Sequence, residues 1–164
     1  MTLFFIWLEK LITEKQIQDL IDEVLTPDQF IVELKIQIGN KIYIELDNAV
    51  QPTSITDCIK LSRQVEHNLD RETEDFSLEV TSPGLDKPFR VFKQYVKNLG
   101  REVKVKSLEG IEVEGKLIEA EEDHIIVETK EKKRIEGRKA KEWITEEVNI
   151  PMAQIKETQI KIVF

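Results

Sequence analysis

The 164-residue sequence predicts an α+β fold in two parts, a mixed helix–strand lobe followed by an all-β lobe. Three observations carry this expectation. Up to residue 81, helical and strand periodicities interleave in the order helix, strand, strand, helix, strand. Beyond residue 100 there are only short alternating segments, punctuated by Gly110 and Gly115, as in a small β-barrel. Between the two, "TSPGLDKP" at residues 81–88 interrupts any regular structure.

The first helix is expected over Thr13 to Leu25. Ile17, Leu20, Ile21, Val24 and Leu25 form one apolar stripe at helical spacing, and Thr13 and Gln16 have capping-box spacing. Trp7, Leu8 and Leu11 extend the same pattern backwards, and Pro27 ends it. Phe30, Val32, Leu34, Ile36 and Ile38 then alternate with more polar residues, and Ile42, Ile44 and Leu46 mark a second strand. Gly39-Asn40 invites a two-residue hairpin, but that register would put Glu45 and Asp47 on the apolar face. A three-residue loop, Gly39 to Lys41, pairs Ile38 with Ile42 and Ile36 with Ile44 instead. Ser54 and Asp57 cap a second helix reaching about Asp70, with Ile55, Cys58, Ile59, Ser62, Val65 and Leu69 inward. Phe76, Leu78 and Val80 alternate in a third strand. Two helices on one sheet face make a compact α+β lobe.

The stretch "FSLEVTSPGLDKPF", Phe76 to Phe89, stops that strand sharply. Pro83 and Gly84 fit the central positions of a type II turn, in which Gly supplies a positive φ. Such a turn makes a stiff joint ahead of a short helix, Pro88 to Leu99. Asp86 is its expected cap, Phe89, Phe92, Val96 and Leu99 its inward face, and Gly100 its terminator. Five strands follow: "REVKVKS" from Arg101, "IEVEGKLIEAEED" from Ile111, "HIIVET" from His124, "EEVNI" from Glu146 and "TQIKIVF" from Thr158. Lys130 to Trp143 interrupts them with 7 basic and 3 acidic residues, and is expected to be a mobile hairpin tip or loop.

Composition narrows the function classes. The net charge of −8 lies wholly in the first half: Met1 to Arg90 carries 9 Lys and Arg against 17 Asp and Glu, the remainder 15 against 15. An acidic lobe repels a phosphate backbone and attracts a basic partner; as a plain solvated surface it would simply aid solubility. The single cysteine, Cys58, excludes an intramolecular disulfide framework and fits a reducing, cytoplasmic setting. The longest apolar run, "LFFIWL" at Leu3 to Leu8, falls far short of the roughly 20 residues of a membrane span. It reads as the start of a helix packed on the body, or else as an apolar tag for a partner.

Catalysis finds little material. His67 follows Glu66 on a helix and His124 follows an acidic turn; both read as surface or boundary residues. Cys58 lies on the apolar stripe of its helix, where a structural thiol outweighs a nucleophile. No metal-ligand spacing or phosphate-binding glycine loop is present.

"LEVTSPGLDKPF" resembles the signature of the bacterial ribosome maturation factor RimP family. "SITDCIKLSRQVEHNLD" resembles that family's second helix. "NLGREVKVK", "EGKLIEAEEDHIIVE" and "EVNIPMAQIKETQIKIVF" resemble its carboxy-terminal strands. The departures are the apolar "TLFFIWLEK" start, a short first hairpin, Thr81 and Lys87 within the motif, and the basic insertion. The resemblance implies a KH-like α-β-β-α-β domain over residues 1–85. It also implies a linker helix with an SH3/Sm-like barrel over residues 86–164. It implies a non-enzymatic, cofactor-free assembly factor, expected to be a monomer with no membrane contact. It would bind immature small (30S) ribosomal subunits through the basic small-subunit protein twelve and adjacent ribosomal RNA.

Three groups of candidate residues follow. The joint, Ser82, Pro83, Gly84, Leu85 and Asp86, is expected to meet the partner. Asp19, Asp22, Glu72, Glu74 and Asp75 are the acids expected to stay exposed for recruitment. Lys132, Lys133, Arg134, Arg138, Lys139 and Lys141 are the cations expected to meet RNA phosphates. A general Sm-like RNA-binding module is the alternative reading. It is weakened in the first lobe, whose only glycines, Gly39 and Gly84, cannot form the Gly-x-x-Gly clamp of true KH domains.

Overall fold

The computed structural model describes residues 12–137 and 139–162. The apolar start, the backward helix extension at Trp7, Leu8 and Leu11, and Arg138 lie outside the described residues. The chain divides into two compact units, Met1–Pro83 and Gly84–Phe164.

The first unit runs α1 (Glu14–Asp22), β1 (Gln29–Gln37), β2 (Lys41–Asn48), α2 (Ile55–His67), β3 (Ser77–Thr81). The sheet order is β1-β2-β3, with β1 antiparallel and β3 parallel to β2. A parallel neighbour requires a crossover, and α2 supplies it. Ile17 and Ile21 of α1, Leu61 and Val65 of α2, and Ile42, Ile44 and Leu46 of β2 form the core with Phe76. Both expected caps form. Thr13 Oγ1 accepts from the Gln16 N–H at 3.2 Å. Ser54 and Asp57 make the full reciprocal box, 3.1 Å each way.

Three expectations for this unit need correction. The β1–β2 loop has three residues, but they are Ile38, Gly39 and Asn40, so Ile36 pairs with Ile42 and Leu34 with Ile44. Ile38 is left 98% exposed, and Gly39 and Asn40 take positive φ of 84° and 53°. The left-handed geometry favours glycine and asparagine, and these two residues therefore sit inside the loop. Second, a bulge lies between Ile31↔Leu46 and Glu33↔Glu45. The extra residue shifts the alternation, placing Phe30 on the face of Asp47 while Leu34 and Ile36 face the core. Glu45 and Asp47 are buried on that second face, and the Tyr43 hydroxyl donates to Glu45 Oε1 at 2.5 Å. Third, the buried stripe of α2 is Leu61 and Val65, whereas Ile55 is 81% and Ile59 44% exposed. The helix is rotated so that Cys58 is only half-buried.

The second unit runs α3 (Phe92–Lys97), β4 (Glu102–Ser107), β5 (Glu112–Ala120), β6 (His124–Arg134), β7 (Lys141–Pro151), a 3₁₀ turn (Met152–Gln154) and β8 (Ile155–Ile160). Its antiparallel sheet has the order β7-β6-β5-β4-β8. The sheet is not a closed barrel: β7 and β8 are its two edges, with no ladder between them among the described residues. Val103, Val105, Leu117, Ile125, Val127 and Ile150 form its core with Tyr95. Gly115 packs where a side chain could not fit, because a Cβ there would lie 2.3 Å from the Glu128 carbonyl oxygen.

The opening segment of this unit also differs from expectation. Gly84 does not adopt a positive φ. The turn spans Gly84 to Lys87, closed by the Lys87 N–H donating to the Gly84 carbonyl at 3.1 Å. Leu85 and Asp86 are its central residues, so no left-handed residue is needed and the stiff type II joint does not form. Nor does Asp86 cap α3. Gln94 Oε1 does so from within the helix, accepting from the Arg90 and Val91 N–H groups at 2.5 and 3.1 Å. Tyr95 docks the helix: its hydroxyl donates to Thr158 Oγ1 at 2.8 Å, and its ring meets Phe89 edge-on at 5.1 Å. Val96 and Leu99, expected inward, are 46% and 42% exposed. Tyr95 takes their place because its position offers both an aromatic contact and a buried hydrogen-bond partner.

Candidate functional surfaces

The acidic candidates sit in two environments. Asp19 and Asp22 lie on the outer face of α1, where Lys15 bridges Asp19 at 3.0 Å and the Gln18 amide donates to Asp22 at 2.7 Å. Glu72 is exposed on the turn before β3, and the Asp75 side chain is 85% exposed beside Arg71. Glu74 is different. It is half-buried, and both its oxygens are engaged, Oε2 by the Ile12 N–H at 3.0 Å and Oε1 by the Asn40 amide at 2.7 Å. It fastens the entry of α1 and the β1–β2 loop to the turn before β3. Its expected role as a free surface charge is therefore corrected to a structural one.

The residues from 82 to 86 are largely accessible. Ser82 is exposed and Pro83 half-buried at the end of the first unit. At the start of the second, Gly84 is half-buried, Leu85 is 62% exposed and Asp86 is exposed. An exposed leucine beside a carboxylate on a turn is a small amphipathic contact surface.

The basic insertion is an ordered ladder through most of its length. β6 and β7 pair continuously from His124↔Pro151 to Arg134↔Lys141. Directly opposed residues share a face, and faces alternate along each strand. One face of the distal hairpin therefore carries Lys130, Lys132 and Arg134 with Thr145, Trp143 and Lys141. The other carries Glu131 and Lys133 with Ile144 and Glu142. Lys133, expected among the RNA-contacting cations, turns to the acidic side. Its ammonium meets Glu146 at 3.1 Å and Glu131 at 3.7 Å, and the Glu146 bond raises its pKa. Lys139 is exposed in the tip. Trp143 was not a candidate from sequence, and Lys130 entered only as the first residue of the basic insertion. The signal was present as basic residues at spacing two, readable once both strands run into the insertion.

No catalytic constellation emerges among the described residues. Burial, and then the neighbouring Asp57, raise the Cys58 pKa, which keeps the thiol protonated. His124 lies 2.7 Å from Asp123 and 3.4 Å from Glu119, and these carboxylates raise its pKa. His67 is exposed on α2. Among the described residues no group of His, Cys, Asp and Glu forms a metal site, and no helix is long and apolar enough to cross a membrane.

Comparison with known proteins agrees with the residue-level resemblance. Residues 20–86 match the family model described as the RimP N-terminal domain. The chain is 42% identical over 135 residues to the ribosome maturation factor RimP of Christiangramia forsetii, covering 82% of this chain and 87% of that protein. It is 36% identical over 155 residues to the RimP of Flavobacterium psychrophilum, covering 92% and 98%. It is 37% identical over 148 residues to that of Porphyromonas gingivalis, covering 90% and 97%. Matches of this identity span both units, including strands, turns and the linking segment, so the chain belongs to the RimP family of ribosome maturation factors.

Proposed function

We propose that this chain is a ribosome maturation factor that binds immature small (30S) ribosomal subunits in the cytoplasm. The observation that carries the reading is its similarity to proteins named ribosome maturation factor RimP over most of both chains. Residues 1–85 act as a KH-like domain, a reading supported by the α-β-β-α-β order. Residues 86–164 act as the linker helix and an SH3/Sm-like domain whose sheet remains open. The first domain recruits the basic small-subunit protein twelve. Asp19, Asp22, Glu72 and Asp75 are the accessible charges for this step, and Leu85 and Asp86 supply short-range contact. Adjacent ribosomal RNA meets the basic hairpin. The protein acts as a monomer without a cofactor.

The alternative, a general RNA-binding module, draws support from the cations of that hairpin. The two readings differ in what is retained. Immobilised protein is to be incubated with purified immature and mature small subunits, and the bound fraction quantified. Preferential retention of immature subunits is expected. Equal retention of both, with binding that follows naked RNA and salt alone, overturns the maturation reading in favour of the module.

A further inference from the structure

The distal β6–β7 hairpin sorts its charges between its two faces. Lys130, Lys132, Arg134 and Lys141 share one face, all exposed, and none has an ion-pair partner among the described residues. Arg134 and Lys141 are directly opposed, a like-charge pair that disfavours the bare hairpin. In their midst Trp143 is 65% exposed, with the Lys132 ammonium 5.1 Å from the ring centroid. Nothing in the packing of the second unit's core uses this indole. The carboxylates of the hairpin stem, Glu131, Glu142 and Glu146, fall on the opposite face, where Lys133 is neutralised. A rung of Glu128 opposite Glu147 closes the basic face at its base. The patch is therefore bounded below by this acidic rung and runs toward the tip, where the exposed residues include Lys139, a further cation, and Glu136, a carboxylate beyond Arg134.

We propose that this face is a stacking platform for single-stranded RNA. A nucleobase lies on the Trp143 indole, and Lys132, Arg134 and Lys141 meet the phosphates on either side. An aromatic ring among cations, with no acid between them, is the chemistry that holds a single strand without reading its sequence. A double helix keeps its bases inside the stack and would use the cations but not the ring. An acidic protein segment would likewise use the charges, without the strict need for an aromatic plane. The inference rests on the ribosomal-RNA part of the proposed function and names the element that carries it.

The test is a titration of a labelled short oligouridylate by the full chain, read by fluorescence anisotropy at several salt concentrations. Trp143→Ala is expected to weaken binding about 5- to 150-fold, as for loss of one stacked base, and Trp143→Phe to restore most of it. Lys132→Gln, Arg134→Gln and Lys141→Gln together should reduce the slope of log affinity against log salt by about 2. Lys133→Gln, on the opposite face, should leave both quantities unchanged. Thermal midpoints check that each variant is folded, and the conservative phenylalanine variant keeps the test decisive if the alanine variant is not. Binding indifferent to Trp143, or equal losses from Lys133→Gln and Lys132→Gln, overturns the proposal. So does a polyglutamate peptide that displaces the RNA and binds equally to wild type and Trp143→Ala. If the wild type retains immature subunits but ignores the oligouridylate, the platform fails while the maturation reading stands. If it binds the oligouridylate through Trp143 but not immature subunits, the reverse holds.

Discussion

Single residues here matter most where backbone meets backbone. Gly115 is the clearest case, because a β-carbon would lie 2.3 Å from the Glu128 carbonyl oxygen and 2.9 Å from its carbon. These are ladder atoms of β6 and cannot swing aside. Gly115→Ala should therefore lower stability by about 1–3 kcal/mol through overpacking, measured by urea or thermal unfolding. A midpoint equal to wild type would show that β6 shifts freely. Gly84 presents the opposite situation. A β-carbon there would meet Asp86 Oδ1 at 2.6 Å, but that atom ends an exposed side chain that can rotate away. The two glycines look alike in sequence and differ only in what stands beside them.

At the scale of elements, caps and register decide how each unit assembles. The reciprocal box at the start of α2 satisfies the Asp57 and Ser54 N–H groups together, and the Ser54 bonds hold the Asp57 carboxyl below its ordinary pKa. Ser54→Ala should destabilise the first unit by about 1 kcal/mol, because it removes the acceptor of the Asp57 N–H. It keeps the residue-54 N–H bonded to the Asp57 carboxylate, an arm that only Asp57→Ala removes. Chemical denaturation of Ser54→Ala and Asp57→Ala separates the two arms; an Asp57→Ala variant as stable as wild type would mean that the reciprocal arm contributes nothing. In the second unit the long edge strand β7 is protected against pairing with another chain by Lys141, Glu142, Glu146 and Glu147. Solubility and interaction chemistry thus share one hairpin.

For the molecule as a whole, charge is partitioned by unit: residues up to Pro83 carry 16 acids against 7 bases. Such a field acts on encounter with a basic partner more than on the finished contact. Replacing Asp19, Asp22, Glu72 and Asp75 by their amides should slow association with purified small-subunit protein twelve on the order of tenfold at low salt. Dissociation should change much less, and each substitution alone should have little effect. Stopped-flow mixing at two ionic strengths separates these quantities. Equal association rates at low salt would remove charge from recruitment, leaving family membership untouched. Glu74 is excluded from the set because its loss would loosen α1 and the β1–β2 loop.

The order of elements, both Ser/Thr caps, the odd-length first loop and the acidic first half were determined by the sequence alone. Each rests on local information: apolar periodicity, capping geometry over three residues, or a count of charges. What failed was the phase of those patterns. Alternation says that neighbouring strand residues face opposite ways, but not which face is buried. The bulge after Ile31, the displaced loop at Ile38 to Asn40 and the rotation of α2 toward Leu61 are all set by distant partners. The barrel was expected from strand number, yet closure depends on whether the two edge strands meet. The same limit governed the candidate sites. Composition identified a basic insertion, but only the β6–β7 register separated Lys132, Arg134 and Lys141 from Lys133 and brought Trp143 among them. A single strand carries the period; its pairing with another decides the side.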